Sequence, residues 1–193
     1  MRGPFVTPDE VVQLGTQGFF TRPSFLGVEL AGRVLDEAHR LPLRRAGIRR
    51  SHELDDAVRT DELAWLTRDE TTGALAEAVA RFEALMQSLN ESAWLGLRTF
   101  DLQVAHYPPG AHYARHFDAF PGQDNRRVTA IVYLNPTWTP ADGGRLKLHV
   151  EPPVEIEPTM DRLLVFRSEQ VEHEVIEAHA DRWALTAWYS ARQ

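Results

Sequence analysis

The chain has no cysteine among its 193 residues. Disulfides, thiolate metal sites and cysteine nucleophiles are therefore excluded together. Lysine is almost as scarce: Lys147 is the only one, so nearly every cation is a guanidinium. No run approaches the ~18 apolar residues of a membrane-spanning helix. The opening MRGPFVTPDE lacks the apolar stretch of a secretory signal, and the expectation is a cytoplasmic protein without a membrane partner. Basic charge is not in excess either. A net charge of -7 argues against a general polyanion binder and makes nucleic acid an unlikely partner. No repeat, low-complexity tract or Pro/Gly/Ser linker divides the sequence. Its length suits one domain with a sizeable core and is short for two.

The N-terminal half carries helical signals. TPDEVVQLGTQG offers Thr7 or Asp9 as a start and Gly18 as a stop. From Phe25 to Leu41, residues Leu30, Val34, Leu35, Ala38 and Leu41 recur at helical spacing, and Thr71 to Leu89 repeats the pattern. These stripes read as core-facing. Between them RRAGIRRSHELDDAVRTDELAWL breaks both periodicities, as a solvated loop or a loop covering substrate would. From Leu97 onward short β-branched and aromatic segments follow one another: LRTFDLQVAHY, RVTAIVYL, RLKLHV, RLLVF, HEVIEA and WALTAWY. Turn signals separate them. Helices followed by closely spaced strands predict a mainly β domain, with N-terminal helices packed on an antiparallel sandwich or jelly roll.

Within HYARHFDAF, His116 and Asp118 stand two residues apart, so on a strand both side chains share one face. An imidazole and a carboxylate suit a divalent first-row metal, but His-x-Asp alone is a weak signal and also fits an ordinary strand edge. Among the remaining histidines, His173 in EQVEHEVIEA lies at a strand and far along the chain. Two histidines and one carboxylate form the facial triad of non-haem Fe(II) oxygenases, which leaves three coordination positions open. Nine residues later Arg182 begins a segment whose Arg182, Ala184, Thr186 and Trp188 fall on one face. Arg182 is either a surface cation at a strand end or a guanidinium fork at the bottom of a pocket, suited to a carboxylate.

His116-Phe-Asp118, His173 and Arg182 at these separations resemble the Fe(II)/2-oxoglutarate-dependent dioxygenases. AHYPPGAHYARHFD, RVTAIVYLN, DGGRLKL, DRLLVF and RWALTAWY follow in the order of the prolyl hydroxylase branch, particularly the oxygen-sensing prolyl hydroxylases and their bacterial relatives. Upstream, Arg59, Asp61 and Trp65 are similar to that group's Arg-x-Asp-x-x-x-Trp element. The resemblance covers most of the chain. It implies a double-stranded β-helix over residues 96–193, with helices and a substrate loop over 1–95.

It further implies that His116, Asp118 and His173 hold Fe(II). Arg182 would pair with the distal carboxylate of 2-oxoglutarate, Tyr133 would hydrogen-bond it, and Tyr107, Thr186 and Trp188 would line its pocket. Arg59, Asp61, Trp65 and Arg126 would serve the substrate side, with Asp61 expected to pair with Arg126 and the 44–58 segment expected to close over a peptide. The implied reaction is hydroxylation of a prolyl residue in a protein, supported by ascorbate. Bacterial relatives suggest a ribosome-associated protein or a translation elongation factor as the target.

Three rival readings stand beside this one. A nucleic-acid repair oxygenase would carry a second arginine at position 188, which here is Trp188. A hydroxylase of a free amino acid or natural product shares iron and co-substrate. A cupin-like metal-binding module leaves Arg182, Thr186 and Tyr133 unexplained.

Overall fold

The computed structural model describes residues 5–47, 55–67, 69, 71–119 and 126–191. The three expected helices are present: α1 (Pro8–Thr16), α2 (Val28–Ala38) and α3 (Gly73–Ala93). Helix α1 starts where the sequence signals it. Thr7 and Glu10 form a capping box, and Pro8 occupies a first-turn position where no N–H is needed. The other two helices borrow their caps. The Asp161 carboxylate accepts from Leu26 and Gly27 N–H at the head of α2. Glu37 of α2 accepts from Ala74 and Leu75 N–H at the head of α3, 2.8 and 2.9 Å away.

Among the described residues eleven strands follow or intervene: β1 (Phe19–Arg22), β2 (Arg44–Arg45), β3 (Glu62–Leu66), β4 (Thr99–Tyr107), β5 (Tyr113–His116), β6 (Arg126–Tyr133), β7 (Leu146–Leu148), β8 (Val154–Ile156), β9 (Leu163–Arg167), β10 (His173–Val175) and β11 (Arg182–Ser190). They form a seven-stranded sheet, β1-β9-β6-β11-β4-β3-β2, and a four-stranded sheet, β5-β10-β7-β8. Every pairing is antiparallel. This is the jelly-roll double-stranded β-helix that the sequence implied.

Alternation along the strands divides the core in two. Leu102, Val104, Val128, Val132, Leu163, Val165, Leu185 and Tyr189 face the three helices. Ala105, Tyr107, Ile131, Tyr133, Leu164, Phe166 and Ala184 face the small sheet and meet Leu146, Leu148, Ile156 and Val175. The second layer is the barrel interior, and the polar side chains of interest open into it.

Two expectations need correction. The N-terminal half supplies strands as well as helices. β1 pairs with β9, and part of the charged segment is strand, because β2 pairs with β3, which pairs with β4. Residues 48–54 of the expected 44–58 loop lie outside the described residues. Strand β5 also ends at His116, and Asp118 stands in the bend beyond it.

Candidate active site

His116 at the end of β5 and His173 at the start of β10 are direct cross-strand partners. Their rings lie 4.3 Å apart between centroids. Asp118 reaches both: one carboxylate oxygen is 3.7 Å from His116 Nε2 and the other 3.8 Å from His173 Nε2. One donor atom from each of the three residues falls within 4.8 Å of the others. Such separations leave room for an ion between them.

The surroundings fix how these donors point. Nδ1 of His116 lies 2.7 Å from Ala114 carbonyl oxygen, and Nδ1 of His173 lies 3.2 Å from that of Val171. A carbonyl only accepts, so each Nδ1 carries the proton and each Nε2 turns a lone pair toward Asp118. The Thr129 hydroxyl donates to Asp118 Oδ2 at 2.6 Å, backed by Ser168 at 2.9 Å from Thr129. Burial alone would raise the Asp118 carboxyl. His173, His116 and Thr129 outweigh it and hold the group well below the usual carboxylate range. Burial pushes His173 down to about 4, so at neutral pH it is an unprotonated ligand. Two imidazoles and one carboxylate, each held by a neighbour, fit a divalent first-row metal.

The His116 ring is also clamped from its face. Tyr113 stacks on it at 3.6 Å, and the Arg59 guanidinium lies over Tyr113 at 4.2 Å. Arg59 in turn grips Asp61 through two hydrogen bonds of 2.8 and 2.6 Å, with the Asp61 side chain wholly buried. The expected Asp61–Arg126 pair is therefore replaced by Asp61–Arg59. Arg126 lies over the Trp188 ring at 4.6 Å instead, because residues 59 and 61 alternate onto one face and satisfy each other locally.

Arg182 opens β11 as a buried cation, 3% exposed. Its Nε donates to Gly144 carbonyl at 2.7 Å. Tyr107 and Tyr133 present their rings at 4.7 and 5.1 Å. Gly144 has φ +65°, and a Cβ there would stand 2.9 Å from Arg182 Cδ, so only glycine allows the approach. The Tyr133 hydroxyl is buried with no partner, and burial lifts it to about 12, which keeps it a donor. A cation and an orphaned donor share this end of the barrel, and none of the described carboxylates pairs with Arg182. The combination fits an incoming carboxylate.

Thr186, buried, lies on the same face of β11 further toward the iron-type triad. Trp188 is paired in register with Thr129, six residues and about 20 Å along the strand from Arg182. It groups with Arg126 and with Trp65, whose ring is 5.5 Å away and which is 52% exposed. The opening of the site is thus aromatic and cationic. Thr129, Ser168, Gly144 and Tyr113 were not singled out by sequence reasoning. The DGG turn carried a signal for Gly144, since two successive glycines mark close backbone approach.

The family model of the 2OG-Fe(II) oxygenase superfamily matches residues 102–190. Human prolyl hydroxylase EGLN3 is 32% identical over 195 residues, covering 89% of this chain and 78% of that protein. The chain belongs to the prolyl hydroxylase branch of the 2OG-Fe(II) oxygenase superfamily. A crystal structure of a Pseudomonas putida prolyl-4-hydroxylase superposes with a TM-score of 0.88 at 32% identity, covering 96% of this chain and 99% of that one. A prolyl hydroxylase from Trichoplax adhaerens, in complex with a hypoxia inducible factor oxygen degradation domain peptide fragment, gives 0.87 at 33%, covering 94% and 87%. As a member of this superfamily the chain is a dioxygenase that uses Fe(II) and 2-oxoglutarate. None of its described helices is long and apolar enough to cross a membrane.

Proposed function

We propose that this dioxygenase hydroxylates a prolyl residue within a polypeptide, holding Fe(II) on His116, Asp118 and His173. The observation that carries the reading is the pairing of this triad with an Arg182–Tyr133 end in the same barrel interior that meets no described carboxylate. A cupin-like metal module has no use for the second half. When bound, the iron supplies oxidative chemistry in which 2-oxoglutarate and O2 become succinate and CO2 while one oxygen atom enters a substrate C–H bond.

The chain's own residues do the positioning. Arg182 would hold the distal carboxylate of 2-oxoglutarate through its free N–H groups, and the Tyr133 hydroxyl would donate to it. Tyr107 walls that end by lying against the guanidinium, and Thr186 lines the way to the triad. Thr129 keeps Asp118 ionised and oriented. Phe166, edge-on to His173 at 4.7 Å, and Ile131 and Leu148 exclude water around the reacting atoms.

Trp188, Trp65 and Arg126 frame the opening and suit an apolar ring entering from a peptide, while Arg59 and Asp61 hold the wall behind Tyr113. Ascorbate would support turnover by restoring Fe(II) after unproductive cycles. The substrate would be a cytoplasmic protein with an exposed proline, a ribosome-associated protein or translation elongation factor being the candidates.

Blocked proline-containing peptides and free proline, each supplied with Fe(II), 2-oxoglutarate and O2, separate this reading from a small-molecule hydroxylase. Peptides should raise succinate formation above the substrate-free rate and gain one oxygen atom. Stimulation by free proline alone would overturn the polypeptide assignment.

A further inference from the structure

Gln103 stands in the middle of β4, on a face that runs from exposed Asp101 to buried Ala105 and Tyr107. Alternation puts it on the same side as Ala105 and Tyr107, which belong to the barrel interior. In register it lies directly between Thr186 of β11 and Trp65 of β3. It is therefore in the wall between the level of Thr186 and the aromatic opening. The residue is 4% exposed, and its carboxamide makes no hydrogen bond to any described residue. A carboxamide offers two donors and two acceptor lone pairs, and here they have no protein partner and only a narrow exposure. Leucine or methionine would fill the position with the same bulk and no polar group to satisfy. The group is left waiting for a partner that arrives from the pocket. Along the same face the Trp188 indole N–H is buried without a partner.

We infer that Gln103 is a substrate-positioning residue that grips the peptide main chain beside the target proline, its carboxamide accepting from one backbone N–H and donating to one backbone carbonyl. The inference rests on polypeptide hydroxylation as proposed above and states how the chain is read. Proline has no N–H, so the N–H must come from an adjacent residue. Recognition of this kind reads the backbone and not the neighbouring side chains. It requires a peptide unit next to the proline, which a free amino acid does not have. It also aligns the proline ring between Trp65 and Trp188 while its main chain is held at the β4 wall.

The test uses Mn(II)-loaded protein with 2-oxoglutarate under argon, probed with a pool of short blocked peptides that carry a fixed central proline. The tightest binder is then remade with an ester in place of the N–H-bearing amide of the residue before the proline and of the residue after it, in turn. Wild type should lose about tenfold in affinity on one of the two ester replacements, the loss expected for one buried hydrogen bond. Gln103→Leu should bind the parent peptide about tenfold more weakly and show no further loss with that ester. Its melting temperature should be equal or higher, because the unpaired amide is gone; a purely structural glutamine would give a lower one. Gln103→Met, which keeps the length of the side chain, should behave as Gln103→Leu does. Parent-peptide affinity unchanged in both variants, or an ester penalty equal in wild type and variants, would overturn the inference while the prolyl reading stands. If no peptide of the pool binds the wild type, both fall.

Discussion

Removing the Arg182 guanidinium should separate co-substrate binding from folding. Of its five N–H donors, Nε–H is spent on Gly144 carbonyl at 2.7 Å, which locks the plane of the fork. The remaining donors face a site in which none of the described carboxylates pairs with the cation. Two charge-assisted hydrogen bonds to an incoming carboxylate, at about 1.5–3 kcal/mol each, give roughly 3–5 kcal/mol once non-additivity is allowed for. Arg182→Ala should therefore raise the KM for 2-oxoglutarate by a factor between about a hundred and a few thousand. Arg182→Lys should recover only part of this, since an ammonium cannot hold Gly144 and present a planar fork together. Folding should respond differently. In the ligand-free protein Arg182 is a buried cation faced by two tyrosine rings and one carbonyl, so Arg182→Met should lower the melting temperature little or not at all. Succinate formation against 2-oxoglutarate concentration gives the KM, and anaerobic titration of Mn(II)-loaded protein gives the affinity without turnover. A KM within about threefold of wild type for Arg182→Ala would refute the assignment of this end of the barrel.

His116→Ala, Asp118→Ala and His173→Ala should each abolish Fe(II)-dependent succinate formation and leave the far-ultraviolet circular dichroism intact. Thr129→Val, which deletes the 2.6 Å bond to Asp118, should weaken metal binding by about 10–100-fold, and Thr129→Ser should restore it; calorimetric Mn(II) titration decides. The metal-free protein should lose stability in acid through a defined window. His173 is held at about 4, below the ~6.5 of a free imidazole, so the unfolded chain takes up a proton that the fold refuses. The stabilisation is complete above pH ~6.5 and drains as pH falls toward about 4, and a melting-temperature profile should show a drop that His173→Gln flattens. Asp61→Asn should cost about 3–5 kcal/mol in urea unfolding, because it strands the Arg59 guanidinium that lies against Tyr113.

Several parts of this site were legible in the sequence for physical reasons. His116 and Asp118 could be paired from their spacing, although the spacing argument assumed one strand and the structure ends β5 at His116. Asp118 still returns to the triad because Thr129 pulls its carboxylate inward. Arg182, Thr186 and Trp188 were readable as one face because β11 is nine residues long and alternates throughout. Short strands left no such trace. β2 has two residues, and β8 has three beside a Pro-Pro pair, too few for a period to register. Long-range satisfaction of polar groups was also hidden. Nothing local shows that Glu37 caps α3, that Arg59 and not Arg126 takes Asp61, or that Ser168 backs Thr129. Gln103 was hidden for the same reason: it continues the polar alternation of Thr99 and Asp101, and nothing local shows that it is buried where they are not.

The central claim is that this dioxygenase puts an oxygen atom on a proline inside a polypeptide. Tandem mass spectrometry of a cell lysate incubated with the enzyme, Fe(II), 2-oxoglutarate and ascorbate tests it most directly, with the His173→Ala protein as the blank. A mass gain of one oxygen atom localised to a prolyl residue, present with wild type and absent with the variant, is the predicted result. Oxygen found only on free amino acids, or on lysine or asparagine side chains, would contradict it.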